Sequence, residues 1–360
     1  SYGRFMTTVT YPYDEQTQNW TNTSSYPNTK LKPERTKSWE VGLDARILND
    51  ISLNLTYYRS NTYNQTFYAD LSLSSGYSNI PIQSGNIMNE GLEMSLGYNK
   101  QWKDFSFNTN YTLTWNKNRV KRLADGVYNY ATGQPIQMPE LSPLTYGHTD
   151  ARLILRVGGS MGDVYGQRLL KRDLNGYILN EEGVGLAMEN KETYLGSILP
   201  KMNMGWSLGF GYKGVNLGMT FTGRFGGIVI SETQSVLDAA GVSKVSADVR
   251  DAGGVQINQS KVSAQTYYQT IQGTAAYYTY SATNIRLGEL SLSYTLPKKW
   301  FDNKVGMTVG LVGKNLWMIY CKAPFDPELT TSAASNFYQG FDAYMLPSTR
   351  NFGFNVKFQF

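Results

Sequence analysis

The chain has 360 residues, of which 17% are charged and 14% aromatic, with 27 tyrosines and a net charge of +5. A single cysteine, Cys321, excludes a disulfide framework within the chain, and the dispersed positive charge does not favour a nucleic-acid partner. No run of about 18 apolar residues predicts a transmembrane helix. Membrane β-barrels escape this criterion, because their strands alternate and their mean hydropathy looks soluble.

Strict alternation of apolar and polar residues recurs along the chain and predicts strands with one apolar face. The opening segment, "SYGRFMTTVT", resembles the middle of a strand and has no signal-peptide pattern, so we expect a chain that begins inside a larger protein, as a fragment or a processed product. The sequence predicts about ten strands, at about residues 1–10, 39–48, 51–60, 87–99, 104–116, 202–212, 215–225, 284–296, 304–316 and 348–360.

The two faces of these strands differ in a way that favours a membrane. Aromatic residues flank the aliphatic centres of the apolar face, as in the girdles of membrane barrels; they are Trp39, Tyr57, Tyr98, Phe105, Trp115 and Tyr212. The other face is polar and is marked by Asn54, Asn108, Asn110 and Asn216. The ordinary all-β core of a soluble protein also alternates and stays open as an alternative at this point.

Connection lengths strengthen the barrel interpretation. Short turns near 49–50, 101–104, 213–214 and 297–304 alternate with long connections. The long connections cover about 11–38, 61–85, 117–200, 225–282 and 318–347. Outer-membrane barrels have tight turns at one end and long loops at the other. Near Gly288 the alternation slips by one residue, which indicates either a β-bulge or a strand that begins at Glu289.

The last strand alternates up to the final residue. Its apolar residues are Phe352, Phe354, Val356, Phe358 and Phe360. We expect these side chains to face lipid, with Phe360 closing the barrel at the short-turn rim.

Several segments of the chain resemble SusC/RagA-type TonB-dependent transporters of Bacteroidetes, in the order in which that family has them. They include "LKPERTKSWEVGLDARILNDISLNLTYYRSNTYNQ", "NIMNEGLEMSLGY", "GDVYGQRLLKRDLNGYILNEEG", "IRLGELSLSYTLPKKW", "GLVGKNLWMIYCKAPFDPE" and "YMLPSTRNFGFNVKFQF". The resemblance implies an all-β fold, an antiparallel transmembrane β-barrel of about 22 strands closed by a plug. Residues 1–360 would be the C-terminal part of that barrel with its long extracellular loops, and the plug domain would lie outside this chain.

The resemblance also implies a function and partners. Such a barrel lies in the outer membrane of a Gram-negative, Bacteroidetes-like cell and imports oligosaccharides or peptides. Its partners would be a SusD-like surface lipoprotein, TonB acting through the plug region, the N-terminal remainder of the same barrel, outer-membrane lipid and the substrate, and the transporter–lipoprotein pairs could form a dimer. The last strand, Phe352 to Phe360, would serve as the signal for barrel assembly.

Motifs for catalysis or cofactors are weak, and we expect no enzyme, no cofactor and no metal. His148 has Asp150 two residues later but no nucleophile motif, so a solvated loop residue is the simpler interpretation. "GDVYG" and "RDLNG" do not match a calcium loop, and ordinary turns are expected there. "VGGSMGDVYG" lacks the strand–helix context of a dinucleotide site.

The long connections are rich in tyrosine, which has an apolar face and a polar tip. The aromatic residues there are Tyr128, Tyr130, Tyr146, Tyr165, Tyr267, Tyr268, Tyr277, Tyr278, Tyr280, Phe337, Tyr338 and Tyr344. Packing among the loops, contact with a partner and contact with substrate all remain open. Two other functions also remain: a self-contained small barrel acting as a passive pore or adhesin, and a soluble carbohydrate-binding β-protein.

Overall fold

A computed structural model of the chain describes residues 13–14, 19–20, 32–70, 79–83, 85–123, 140–181, 185–257, 260–302, 304–329, 331 and 336–360. Within these residues the first twelve strands are β1 (Tyr13–Asp14), β2 (Asn19–Trp20), β3 (Arg35–Ile47), β4 (Ile51–Tyr63), β5 (Thr66–Asp70), β6 (Asn79–Gln83), β7 (Asn86–Trp102), β8 (Phe105–Arg122), β9 (Glu140–Thr145), β10 (Arg152–Arg156), β11 (Asp163–Leu170) and β12 (Asn180–Glu181).

The next strands are β13 (Gly185–Leu186), β14 (Met188–Ser197), β15 (Met202–Tyr212), β16 (Val215–Phe225), β17 (Ile228–Ser231), β18 (Val255–Ile257), β19 (Ser260–Val262), β20 (Thr279–Ser281), β21 (Asn284–Thr295), β22 (Gly306–Cys321), β23 (Phe341–Asp342) and β24 (Asn351–Gln359). The α-helices are α1 (Glu232–Ala239), α2 (Lys244–Asp251) and α3 (Ala264–Ile271). Short 3₁₀ helices cover Ala275–Tyr277, Lys298–Phe301 and Asn336–Gly340.

One sheet of nine antiparallel strands forms the frame of the molecule, in the order β24-β22-β21-β16-β15-β8-β7-β4-β3. These are nine of the strands that the alternation predicts, and each begins and ends within a few residues of the expected position, apart from the longer loop ends of β4, β8 and β22. The predicted strand at 1–10 lies outside the described residues. Each strand pairs with its neighbour in sequence, so the sheet is an up-and-down meander.

Tight turns join the strands at one end of the sheet. Lys103 and Asp104 form one turn and Lys213 and Gly214 another, with Lys103 and Lys213 at φ 46° and 45° and Gly214 at 89°. The first turn spans 48–50, and the connection at 296–305 holds the Lys298–Phe301 helix. Positive φ in hairpin turns matches the right-handed twist of the flanking strands, which fixes the register of the sheet. The long connections all lie at the opposite end.

The long connections fold into a packed body, which we call the loop unit and define as the described residues of 140–200, 226–282 and 323–347. It contains the sheet β14-β11-β10-β9, the sheet β20-β17-β23 and all three α-helices. One apolar core gathers Tyr146, Leu153, Val164, Ile198, Ile230 and Phe341. A second core gathers Leu170, Leu186, Ile257, Tyr268, Ile271 and Tyr278.

Serine side chains begin all three α-helices. Ser231, Ser243 and Ser263 each accept a hydrogen bond from the backbone N–H three residues later, which satisfies one of the free donors of a helix start. Each helix is only eight residues long, so packing in the loop unit must supply most of its stability. No α-helix among the described residues is long and apolar enough to cross a membrane.

Candidate functional site

The register of the nine strands places the predicted polar residues on one face. Asn54 pairs with Ser95, Asn110 with both Gly97 and Ser207, and Asn216 with Gly211. Residues that pair directly, or that lie two apart in a strand, share a face. Hydrogen bonds run across this face, for example from Ser95 Oγ to Asn110 Oδ1 at 3.1 Å. The predicted common face of Asn54, Asn108, Asn110 and Asn216 is therefore confirmed.

The other face is apolar and bears aromatic residues towards both ends. At the turn end the rings of Phe107 and Phe210 lie 5.1 Å apart, and at the loop end those of Trp39 and Tyr57 lie 5.4 Å apart. On β8 Phe107 and Trp115 are eight residues apart, which corresponds to about 27 Å along the strand. Such a band, exposed to the surroundings and flanked by aromatic girdles, fits a lipid bilayer.

A β-bulge at Gly288 keeps these two faces consistent. Thr220 pairs with Glu289 and Phe221 with Leu287, so Gly288 has no partner on β16. The bulge confirms one of the two interpretations of the sequence slip, because β21 begins at Asn284 rather than at Glu289. It also places Arg286 opposite Thr222, on the polar face, while Leu287 stays on the apolar face.

Arg286 is the centre of a buried charged cluster at the loop end of the polar face. Its guanidinium forms two hydrogen bonds with the Asp326 carboxylate, at 2.9 and 2.7 Å. Its Nη2 also lies 3.5 Å from Glu328 Oε2, and Glu328 Oε1 accepts from Asn284 Nδ2 at 3.0 Å. Burial raises the pKa of Asp326, but the hydrogen bonds from Arg286 and from the backbone of Glu328 outweigh it and hold the pKa below the ordinary value.

A second arginine on the same face has no such partner. Arg224 on β16 pairs with Asn203 and Asn284 in the sheet. It lines a polar cavity of about 330 Å³ together with Pro200, Asn203, Glu328 and Gln339. Sequence reasoning missed both arginines, although a positive charge two residues before a slip in the alternation is a usable signal for Arg286.

A wider cleft of about 760 Å³ lies where β8 and β15 meet the loop unit. Lys117, Lys201, Asp163 and Tyr194 line it. Burial raises the pKa of Asp163, although Ser160 N–H and Tyr194 Oη donate to its carboxylate. Burial, with the negative charge of Asp163 beside it, raises the pKa of Tyr194 to about 12. Both groups thus hold their protons more tightly than in water.

Most of the loop aromatics that the structure describes pack within the loop unit. Tyr146, Tyr268 and Tyr278 are almost fully buried, and Tyr146 Oη donates to the carbonyl of Phe337 at 2.7 Å. Ring pairs join Tyr146 with Phe341, Tyr165 with Tyr194 and Tyr280 with Phe325. Tyr344 stays 59% exposed. Loop packing thus accounts for many of these residues, while Tyr128 and Tyr130 lie outside the described part of the chain.

His148 and Asp150 do not form a catalytic pair. His148 is exposed, and the Asp150 carboxylate accepts hydrogen bonds from the backbone N–H groups of Gln167, Arg168 and Ala275 at 3.1, 2.8 and 2.7 Å. The Asp150 carboxylate therefore holds its own loop against β11 and against the 3₁₀ helix that begins at Ala275. The expectation of a solvated loop histidine is confirmed.

The remaining motifs also have structural roles. Asp173 of "RDLNG" accepts from the N–H groups of Asn175 and Tyr177 at 2.8 and 2.9 Å, as in an ordinary Asx turn. Cys321 is a free, half-buried thiol whose Sγ lies 3.4 Å from the carbonyl of Ala323. Among the described residues no group of three or more His, Cys, Asp or Glu side chains could hold a metal ion.

An antiparallel meander of long strands, apolar with aromatic girdles on one face and polar on the other, defines the wall of a transmembrane β-barrel. The family model described as "TonB dependent receptor-like, beta-barrel" matches residues 1–316. The chain therefore belongs to the TonB-dependent receptor-like β-barrel family.

Individual relatives agree with this assignment. TonB-dependent receptor P3 of Formosa agariphila is 26% identical over 93% of this chain and 35% of its own length. TonB-dependent receptor P26 of the same organism is 24% identical over 92% of this chain and 35% of its own length. The chain thus spans about a third of the length of these relatives.

Solved structures show the same fold. The RagAB peptide importer in its closed-closed state matches 96% of this chain and 37% of its own chain, with a TM-score of 0.66 and 18% identity. Its open-open state matches 96% of this chain and 36% of its own, with a TM-score of 0.64 and 19% identity. The resemblance of the sequence to the SusC/RagA type is thus confirmed.

Proposed function

We propose that this chain forms part of the barrel wall and the long loops of an outer-membrane importer of the SusC type, in a Gram-negative, Bacteroidetes-like cell. The importer takes up oligosaccharides or peptides. Membership of the TonB-dependent receptor family carries this proposal, and the polar face that ends at the loop unit supports it. The lumen side of such a wall must be polar, because an unpaired polar group facing lipid costs several kcal/mol.

The proposal divides the work of transport between this chain and the rest of the protein. The wall and the loop unit hold and surround the cargo, while TonB delivers energy through a plug that the N-terminal remainder supplies. A SusD-like lipoprotein rests on the loops and hands cargo to the barrel, and two such pairs can form a dimer. The RagAB assembly, named as a peptide importer, supports a peptide cargo without excluding a glycan.

A genetic experiment tests this function. A strain that lacks the full-length gene is grown on defined short peptides or on defined oligosaccharides as the limiting nutrient, with the restored gene and a strain without TonB as controls. We expect loss of growth on one cargo class, rescue by the gene and the same loss without TonB. Normal growth on all cargoes, or uptake that does not need TonB, would contradict active import and favour a passive pore or adhesin.

A biochemical experiment tests the partners. Protein purified from outer membranes in detergent is denatured, and the intact masses of its chains are measured. We expect a polypeptide or a tightly held fragment that carries the plug, together with a co-purifying lipoprotein. A single chain of 40.4 kDa with no plug-bearing companion would contradict the importer and favour a self-contained small barrel.

A further inference from the structure

The 330 Å³ cavity at the loop end of the polar face is lined by an arginine, Arg224, whose hydrogen-bond donors are only partly used. Arg224 Nη2 donates to the carbonyl of Ile198 at 3.0 Å, but Arg224 Nε is shielded from solvent and has no acceptor in the described structure. Among the described residues, no carboxylate lies within ion-pairing distance of this guanidinium. A guanidinium carries five N–H donors, and leaving a buried charge without a partner is costly.

Arg286, on the neighbouring strand and on the same face, shows what a satisfied arginine looks like here. Its guanidinium forms a bidentate ion pair with Asp326. A second carboxylate, that of Glu328, lies 3.5 Å from its Nη2. Asn284 and Arg286 hold Glu328 on their side of the cavity, so that it does not pair with Arg224. The charge of Glu328 acts on Arg224 from across the cavity, but the two groups form no direct ion pair, so Arg224 keeps unused hydrogen-bond donors at the cavity wall.

The rest of the cavity suits a small polar anion. Asn203 and Gln339 add amide groups to the wall, and Pro200 adds an apolar surface. A carboxylate matches the planar donor fork of an arginine and forms strong charge-assisted hydrogen bonds with it. Glu328 also lines the cavity and repels anions, so the hydrogen bonds that Arg224 and the two amides offer must outweigh this repulsion.

We propose that this cavity is a binding subsite for a carboxylate of the cargo, with Arg224 as the residue that binds it. A peptide terminus or acidic side chain and a sugar acid share this chemistry. That the ligand is cargo rests on the proposed import function. Carboxylate binding itself does not, because it can be measured at equilibrium without transport.

The experiment uses the purified full-length transporter in detergent and fluorine NMR. 4-Fluorobenzoate is the probe, and 4-fluorobenzamide is its neutral control of similar shape. We expect line broadening of the carboxylate and none of the amide in the wild-type protein. Arg224→Gln should weaken probe binding by about tenfold or more, which is the worth of a hydrogen-bonded charge pair, and Arg224→Lys should weaken it less.

Arg152→Gln is the matched control, because Arg152 is an exposed arginine on β10, away from the cavity. It removes the same charge and should bind the probe as the wild type does. Asn203→Phe fills the cavity without removing a charge and should abolish binding. Heat-dependent gel mobility identifies variants that do not fold. Even if no variant folds, the comparison of carboxylate and amide binding to the wild-type protein tests whether the site prefers a carboxylate.

Equal binding of the carboxylate and the amide, or equal binding by Arg224→Gln and wild type, would overturn the proposal. So would the absence of any binding of the carboxylate probe to the wild type. Displacement of the probe by a short peptide but not by its C-terminal amide identifies a peptide carboxylate. Displacement by galacturonate but not by galactose identifies a sugar acid. If the purified wild-type protein binds the probe but cells show no TonB-dependent uptake of any cargo, the proposed import function is contradicted while the carboxylate site stands.

Discussion

Leu208 and Ser207 are neighbours on β15 whose side chains lie on opposite faces of the sheet. Leu208 pairs with Thr109 and Met219, and Ser207 pairs with Asn110 and Thr220. We expect Leu208→Arg to lower the free energy of unfolding by about 2–4 kcal/mol, because it puts a charge at mid-membrane depth on the lipid face, whereas Ser207→Arg should cost little. Denaturant unfolding of the full-length protein in lipid measures both. Equal losses would reject the assignment of the two faces.

Asp150 holds three segments of the loop unit together through one carboxylate. Asp150→Ala leaves the N–H groups of Gln167, Arg168 and Ala275 without their acceptor. We expect a loss of about 3 kcal/mol in the local stability of the loop unit, since unsatisfied buried donors cost about 1–3 kcal/mol each. Hydrogen exchange at these three amides measures it.

Asp248→Ala is the control for Asp150. Asp248 forms an exposed ion pair with Lys244 one helical turn away, a contact worth only about 0.3–0.5 kcal/mol. Its removal should leave exchange in the loop unit almost unchanged. Similar exchange in both variants would show that Asp150 has no special structural role.

The bulge at Gly288 acts at the scale of an element, because it decides which face of β21 carries charge. If Gly288 were paired in the ladder like its neighbours, Arg286 and Asn284 would move to the lipid face, since a shift of one residue exchanges the faces of a strand. Deletion of Gly288 joins Leu287 directly to Glu289 and makes the alternation continuous, so we expect the deletion variant to fold with Arg286 still on the polar face. Gly288→Ala keeps the register and meets only ordinary contacts, the nearest being the Thr220 carbonyl at 3.6 Å, so it should fold. Gel mobility with and without heating checks both variants, and a deletion variant that does not fold would contradict this account of the bulge.

The strand β24 pairs with β22 from Asn351 to Gln359, and its phenylalanines lie opposite apolar partners, such as Leu311 for Phe354 and Met307 for Phe358. Phe352, Phe354, Val356 and Phe358 thus share the apolar face, and Phe360 follows the strand with its ring 97% exposed. Their service as an assembly signal remains a proposal. We expect deletion of Phe360 to lower the amount of folded barrel in the outer membrane. Gln359→Ala is the control, and undiminished heat-modifiable barrel in the deletion strain would reject the proposal.

Sequence reasoning succeeded for the strands of the large sheet and failed for most of the loop unit. Strands such as β15 have one apolar face and one polar face, so apolar and polar residues alternate in the sequence. Helices α1, α2 and α3 have only eight residues each, which is too short a window to distinguish a helical period from chance. The cluster around Arg286 depends on contacts between residues about 40 positions apart, such as Asp326, which no local pattern contains.

At the scale of the whole molecule, the two edges of the large sheet stay unpaired within the described residues, at β3 and β24. Open edges expose rows of backbone donors and acceptors, which a membrane does not tolerate. A complete barrel must therefore pair both edges. The extent of this chain within the barrel, with a plug supplied from outside residues 1–360, remains a proposal.

Tyr146 links distant parts of the loop unit. Its hydroxyl bonds to Phe337, and its ring contacts Tyr338 and Phe341. We expect Tyr146→Ala to lower the local stability of the loop unit by about 3–5 kcal/mol, as for other large aromatic residues lost from a core, while the barrel still unfolds normally. Hydrogen exchange at residues near 146, 230 and 341 should rise together. Tyr177→Ala, at an exposed tyrosine, is the control, and a rise confined to residues beside 146 would contradict a shared core.

The loop unit also constrains the order of events in biogenesis. Its contacts join β17 with β23 and Ser231 with Asp342, pairs more than 100 residues apart. Two strands of the large sheet, β21 and β22, lie between these segments in the chain, so the loop core can close only after both strands have crossed the membrane. A closed loop unit is thus a late marker of correct insertion. An antibody that recognises only the folded loops would count finished barrels on intact cells and ignore those still under assembly.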